Sequence, residues 1–313
     1  MASVSDFLCE WLNDLPYIKA FTSGSTGNPK EIRLLKSDMV CSARATNSFF
    51  GINRHSVLGL PLSVDYIAGK MMAVRAQVAG CRLIEFPVSN RCAIDSPVDL
   101  LSIVPTQLDV AIRHSQFIRY LLVGGAPLSL SQEEMIVSAG LNAWLGYGMT
   151  ETCSHVALRK VGGDGVFRAM PGISFTLDSR QCLVVRSEKF SWKTLVTNDV
   201  VHLLGPGEFR WLGRFDNVIN SGGVKLHPEI LEEEYRRVIP SLPPFCLVGE
   251  PDDLLGQRLV MIAENPPSSL LDTLRARISD HRIVPSRIIS LRTLPRTPSG
   301  KILRNLPPTK ELS

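Results

Sequence analysis

Between Phe21 and Lys30 the chain reads Phe-Thr-Ser-Gly-Ser-Thr-Gly-Asn-Pro-Lys, which gathers hydroxyls, two glycines and an ammonium group into one short loop. Such residues can turn backbone N–H groups and hydroxyls toward phosphate oxygens while the lysine adds positive charge. The spacing is not that of the Walker A loop, G-x-x-x-x-G-K-[ST], because Pro29 precedes Lys30 and Glu31 follows it. An ordinary Ser/Gly turn has a similar composition, so segments elsewhere must decide. No serine, histidine and aspartate arrangement competes for the chemistry.

The elements that would hold this loop read as α/β layers. Val57 to Leu62 is expected as a strand, Ile67 to Val78 as a helix and Arg82 to Phe86 as a strand; a second unit follows with Leu101 to Val104, Gln107 to His114 and Arg119 to Val123. The last strand runs into Gly124-Gly125-Ala126-Pro127, a sharp turn at a carboxyl end, where open α/β sheets bind ligands. From about Gly163 to Leu212 the pattern changes to short alternating segments, as in Cys182-Leu183-Val184-Val185-Arg186, which predict antiparallel β structure. Beyond Gly213 comes a glycine-rich turn and then a helix from Pro228 to Val238. Strands near Cys246 to Val248 and Arg258 to Ala263, a helix from Leu270 to Asp280 and a strand at Arg287 to Leu291 complete a small α+β unit. The expected division is therefore a large domain over 1–213, with a β-rich closing part, and a small mobile domain over 214–313.

Composition narrows the classes. With 313 residues, 44% hydrophobic and 20% charged, the chain can bury a substantial core and is neither disordered nor membrane-spanning. A net charge of +4 on scattered Lys and Arg implies no nucleic-acid partner. The opening segment carries Asp6 and Glu10 where a secretory signal needs positive charge, so it reads as a short amphipathic helix of a cytoplasmic protein. Seven widely spaced cysteines without a C-x-x-C pair suggest reduced, mostly buried thiols rather than disulfides or zinc.

Six segments, in order along the chain, give it a resemblance to the adenylate-forming superfamily of acyl-CoA synthetases, peptide-synthetase adenylation domains and luciferases. Thr22 to Lys30 is similar to the family's phosphate loop, T-S-G-[ST]-T-G-x-P-K. Gly124, Gly125 and Ala126 resemble its G-G-[AE]-x-L turn against the nucleotide, and Gly146 to Thr152 its Y-G-x-T-E segment. The resemblance implies that Tyr147 stacks on adenine, Thr150 approaches the adenylate phosphate and Glu151 holds Mg2+, a hard cation suited to carboxylate and phosphate oxygens. Asp199 would bind both ribose hydroxyls, and Trp211 to Ile230 resembles the signature in which Arg214 touches the ribose and Asp216 is the hinge. Asn217 replaces the usual second acid there. Ser221, Gly222, Gly223 and Val224 would line a pantetheine tunnel, and Lys301, in Pro295 to Arg304, would neutralise charge as a carboxylate attacks the α-phosphate. The implied contacts to ATP thus run through Thr22, Ser23, Gly24, Ser25, Thr26, Gly27 and Lys30, with ATP, Mg2+ and coenzyme A as the small molecules used.

Within that superfamily, Leu60-Pro61-Leu62, Ile67 to Met71, Val104 to Leu108 and Gly148 to Arg159 look most like the o-succinylbenzoate-CoA ligases of menaquinone biosynthesis. The phosphate loop is reached within about twenty residues, so much of the usual N-terminal subdomain is expected to be missing. An acid with a retained second carboxylate needs a cation or donor fork, and Lys70, Arg75, His155 and Arg159 are the candidates. Two alternatives stand beside this one. The chain could activate another aryl or fatty acid, or load a carrier protein; or it could be a silent homologue that only binds nucleotide.

Overall fold

The computed structural model of the protein describes residues 2–21, 30–296 and 302–304. Thr22 to Gly27 and Lys301 lie outside the described residues. The chain falls into two compact units: Met1–Thr176 with Val184–Leu195 and Leu203–Arg210, and Leu177–Leu183 with Val196–His202 and Trp211–Ser313.

In the first unit, Val4–Leu12 is helical, its start fixed by a reciprocal cap in which Ser3 and Asp6 satisfy each other's backbone N–H groups. Strands Tyr17–Phe21 and Glu31–Leu35 form a separate antiparallel pair. The main sheet has a parallel part in which Arg82–Glu85, Val57–Leu60, Val98–Ile103, Ile118–Val123 and Ala143–Gly148 lie side by side in that order. Its inner strands are apolar and buried over most of their length, as parallel strands covered on both faces must be. Counted along the chain the order is 2-1-3-4-5, so the direction of winding reverses between Val57–Leu60 and Val98–Ile103, and the crevice of such sheets opens at the carboxyl ends there. Gln107 spans that point, donating from Nε2 to the Pro61 carbonyl at 2.8 Å. His155–Lys160, Phe167–Ala169 and Glu208–Arg214 continue the sheet antiparallel.

The crossover helices Ile67–Ala79, Leu108–Arg113 and Leu130–Ser138 link successive parallel strands. The expected helix at Gln107 to His114 is shorter and begins with a 3-10 turn, Pro105–Gln107, because Pro105 opens it. Lys36–Phe50 is a 15-residue helix with no counterpart among the expected elements. Its buried face carries Asp38, Ser42, Thr46 and Asn47 beside Met39, Ala43 and Phe50, so the apolar periodicity that marks an amphipathic helix is absent from its sequence.

The second unit holds the sheet of Val224–Leu226, Ile219–Ser221, Gly256–Glu264 and Phe245–Asp252, with Arg287–Leu291 parallel to Gly256–Glu264. Helix Pro228–Val238 packs Leu231 and Tyr235 onto it, and Leu270–Arg277 adds Leu270 and Leu274 to the same core. The latter helix stops three residues before the expected Asp280, where Ile278 turns extended. All seven cysteines are free thiols, four of them buried.

Candidate active site

The turn Gly124 to Pro127 follows Ile118–Val123, and Tyr147 is the penultimate residue of the neighbouring parallel strand Ala143–Gly148, with Val123 opposite Leu145. This in-register pairing puts the expected nucleotide-pocket turn and the expected adenine platform at the same sheet edge. Tyr147 is half-buried, its ring edge-on to Phe167 and Phe209 at centroid distances of 5.8 and 5.1 Å. The next residues are unusually constrained. The strand bulges between Tyr147 and Gly148, and a Cβ on Gly148 would stand 2.2 Å from the Ser154 carbonyl oxygen. Thr150–Thr152 makes one 3-10 turn, which Thr152 locks by accepting from the Met149 N–H at 2.9 Å and donating to the Ser154 carbonyl at 2.6 Å. Cys153 then adopts φ 63°, a conformation rare for a residue with a side chain and one that clusters at functional sites.

The loop therefore has no room to move when Gly148 gains a methyl. We expect Gly148→Ala to lower stability by about 2 kcal/mol or more and to displace Ser154. Thermal melting checks the first effect and substrate kinetics the second.

Glu151 is exposed and accepts no hydrogen bond from another described residue. No cluster of three or more metal-ligating side chains occurs among the described residues. One free carboxylate fits Mg2+ held mostly by substrate phosphates, the usual arrangement for this small, strongly hydrated ion. Lys30 is exposed just before strand Glu31–Leu35.

Behind this edge lies a buried polar cluster. Arg75, in helix Ile67–Ala79, is 1% exposed, yet no carboxylate among the described residues pairs with it. Nη2 donates to Ser154 Oγ at 2.7 Å, Nη1 approaches the Met72 sulfur at 3.4 Å, and Nε has no partner. Burial alone pulls its pKa down to about 9. His155 is also buried, its Nε2 3.1 Å from Thr46 Oγ1 and its Nδ1 3.4 Å from Ser154 Oγ. Burial, reinforced by the Arg75 charge, holds its pKa well below the usual value and keeps the ring neutral at pH 7. Asn47 steadies the helix by donating to the Arg75 carbonyl at 3.0 Å.

The other two candidate cations are engaged differently. Arg159 makes a fork with Glu133, at 3.0 and 2.5 Å. Lys70 sits 4.7 Å above the Phe7 ring and 3.8 Å from Glu10, tying Ile67–Ala79 to the first helix. Thr46, Asn47 and Ser154 were not among the sequence candidates. Thr46 and Asn47 are buried in a helix that the sequence reading did not anticipate, and Ser154 is half-buried beyond the 3-10 turn, so only the fold draws notice to them.

In the second unit, Asp199 and Arg214 come together. Asp199 is buried, receives the Trp211 indole N–H at 3.1 Å and lies 3.8 Å from an Arg214 nitrogen. Thr197 accepts from the Asp199 N–H at 3.0 Å and donates to the Leu183 carbonyl at 2.8 Å, fixing the carboxylate's backbone. Asp216, in the turn Phe215–Asn217, is exposed and pairs with Arg214 at 3.1 Å and with the Asn198 amide at 3.2 Å. The Asn217 amide donates to Glu229 at 2.5 Å, a bond that an acid at this position would not make unless protonated. Ser221 and Val224 face each other across a hairpin whose two central residues, Gly222 and Gly223, have φ of 57° and 82°. Both angles favour glycine, as two-residue turns of this hand require. On either side of the segment containing Lys301, Arg296 bridges Ile302 and the Leu303 N–H reaches the Pro295 carbonyl at 2.8 Å. Arg304 is then held by Glu232 at 2.5 and 2.8 Å.

Comparison with known proteins bears on these groups. A family model described as AMP-binding enzyme matches residues 10–188. A long-chain fatty-acid–CoA ligase of Mycobacterium tuberculosis is 23% identical over 332 residues, covering 91% of this chain. The chain spans 66% of that relative's length. A probable 2-succinylbenzoate–CoA ligase of the same organism is 27% identical over 326 residues, covering 94% of this chain and 84% of its own. Among solved structures, an acyl-CoA synthetase (AMP-forming)/AMP-acid ligase II-like protein from Dyadobacter fermentans is 31% identical. It covers 99% of this chain and 93% of its own, with a TM-score of 0.64. The o-succinylbenzoate coenzyme A synthetase of Bacillus subtilis in complex with ATP and magnesium is similar in fold, with a TM-score of 0.77 at 21% identity over 92% of this chain and 68% of its own. The mixed α/β architecture expected from the sequence is the fold these proteins share. No described helix is long and apolar enough to cross a membrane.

Proposed function

Because this chain belongs to the AMP-binding enzyme family, we propose that it is an AMP-forming acid–thiol ligase whose acid carries a second carboxylate, with o-succinylbenzoate as the substrate and coenzyme A as the acceptor. In the first half-reaction a carboxylate oxygen attacks the α-phosphorus of ATP, the bond to the bridging oxygen breaks, and pyrophosphate leaves. In the second, the coenzyme A sulfur attacks the acyl carbon, the thiol proton passes to solvent, and AMP leaves. Tyr147 and the Gly124 to Ala126 turn would hold adenine, Asp199 and Arg214 the ribose, and Thr22 to Lys30 the phosphates, with Mg2+ neutralising phosphate charge beside Glu151. Thr150 would donate to the adenylate phosphate. Lys301 serves the first step and the Ser221 to Val224 hairpin the second, so rotation about Asp216 between the steps follows from their roles.

Arg75 is the observation that carries the choice of acid. A buried guanidinium without a carboxylate is costly to a fold, and a substrate carboxylate meeting its unpartnered Nε–H would offset that cost. A fatty-acid ligase, the reading favoured by one relative, has no use for a buried cation in its acid pocket. With Lys70 and Arg159 held by protein acids, Arg75 is the group we assign to the spectator carboxylate. The test is pyrophosphate release over a panel of acids. We expect o-succinylbenzoate to exceed 4-oxo-4-phenylbutanoate, which lacks only the ring carboxylate, by about a hundredfold in kcat/KM. Equal rates for the two, or a preference for a fatty acid, would remove the dicarboxylate assignment. Turnover with a carrier protein but not with free coenzyme A would replace the acceptor.

A further inference from the structure

The polar cluster around Arg75 has a direction that follows from counting hydrogens. A hydroxyl has one proton to give. Thr46, in the interior of helix Lys36–Phe50, has Oγ1 3.1 Å from the Ser42 carbonyl, which can only accept, and 3.1 Å from His155 Nε2. Giving its proton to Ser42, Thr46 must accept from His155, so the neutral ring carries its hydrogen on Nε2 and leaves Nδ1 as an acceptor. Nδ1 then takes the Ser154 hydroxyl proton at 3.4 Å, and the Ser154 oxygen is left to accept from Arg75 Nη2 at 2.7 Å. With the opposite tautomer, Nδ1–H and Nη2–H would both point at Ser154 Oγ, and the hydroxyl proton of Ser154 would have no acceptor among the described residues. Among the described residues, the Nε2–H ring is the tautomer that leaves the Ser154 hydroxyl proton an acceptor.

We infer that Thr46, His155 and Ser154 form a positioning relay that sets the orientation of the Arg75 guanidinium, and that through it Thr46 governs discrimination between dicarboxylic and monocarboxylic acids. The relay consumes both ring nitrogens of His155, so His155 supports the acid site without touching the acid. It uses one Nη2–H of Arg75 and leaves the unpartnered Nε–H among the donors available to the substrate. It also gives a reason for the polar face of helix Lys36–Phe50: Thr46 ends the relay while Asn47, next in sequence, fixes the backbone from which Arg75 projects. The inference rests on the acid assignment of the preceding section, and the experiment separates the two.

Thr46→Val keeps the shape of the side chain and deletes the acceptor; Thr46→Ser restores it. In the full chain we expect Thr46→Val to raise KM for o-succinylbenzoate about tenfold while KM for 4-oxo-4-phenylbutanoate and for ATP stays unchanged, and Thr46→Ser to return the first value to that of the wild type. Nitrogen NMR of histidine-labelled protein, with the His155 signal assigned by its loss in His155→Gln, should report the Nε2–H tautomer in the wild type. A wild-type ring protonated on Nδ1 overturns the relay outright, even if Thr46→Val fails to fold. So does a Thr46→Val protein whose KM ratio between the two acids matches the wild type while Arg75→Met shifts it. If Arg75→Met leaves the ratio unchanged as well, the dicarboxylate assignment itself fails.

Discussion

Lys301→Ala is expected to reduce acid-dependent pyrophosphate release by about 10²- to 10³-fold while leaving thioester formation from a supplied acyl-adenylate within a few fold of the wild type. The reason is where charge develops. In the first step the incoming carboxylate and the departing pyrophosphate both carry negative charge around the α-phosphorus, and an ammonium there stabilises the transition state more than the ground state. In the second step no charge builds on the phosphate until AMP leaves, and the hairpin at Ser221 to Val224 is the part we propose for it. Lys301 lies outside the described residues, so its assignment rests on the Pro295 to Arg304 motif. The anchored neighbours, Arg296 paired with Ile302 and Arg304 held by Glu232, are the part of that segment whose geometry is described. Parallel losses in both half-reactions would refute the division of labour. An unchanged first step would show that the motif resemblance does not extend to its lysine.

The second large effect runs in opposite directions for stability and for activity. Arg75→Met should abolish the preference for the dicarboxylic acid, lowering kcat/KM for o-succinylbenzoate by about a hundredfold with little change for 4-oxo-4-phenylbutanoate. It should also make the protein more stable. Burial pulls the Arg75 pKa down to about 9, a desolvation penalty on the order of 4–5 kcal/mol at neutral pH. Methionine of similar length removes that penalty but leaves Ser154 Oγ without its donor, so a net gain of about 1–3 kcal/mol is expected. The gain has a pH signature. Below pH 9 the arginine is charged in both folded and unfolded chains, and the full penalty is present. Above pH 9 the folded chain sheds the proton while the unfolded chain keeps it, so wild-type stability rises with pH and the advantage of methionine shrinks. Denaturant unfolding of both proteins at pH 7 and pH 10 measures this. A destabilised Arg75→Met protein, or an advantage that grows with pH, would mean that the guanidinium is paired in the fold and not awaiting a substrate.

Much of the scaffold was legible because its elements follow local rules. Pro228–Val238 was expected over the same residues that form it, since Pro228 opens it and Leu231 and Tyr235 recur at helical spacing on the buried side. Arg287–Leu291 and the parallel strands before Gly124 were legible as apolar runs bounded by turns. Helix Lys36–Phe50 was not, because half of its buried face is polar and its cost in apolar periodicity is set by partners distant in sequence: Arg75, His155 and Ser191, whose N–H bonds Asp38 at 2.8 Å.

Sequence alone pointed to the family, because the phosphate loop, the Tyr147 to Glu151 segment, Asp199, the Arg214 signature and the Lys301 segment are local patterns of residue type and spacing that survive without coordinates. It also offered four cations for the acid site with nothing to rank them. Tertiary structure separated them, since whether a charge is answered depends on what packs against it: Glu133 meets Arg159, Glu10 and Phe7 meet Lys70, and no carboxylate among the described residues meets Arg75. The fold also brought His155 within 3.1 Å of Thr46, a contact across 109 residues of sequence that no local pattern announces.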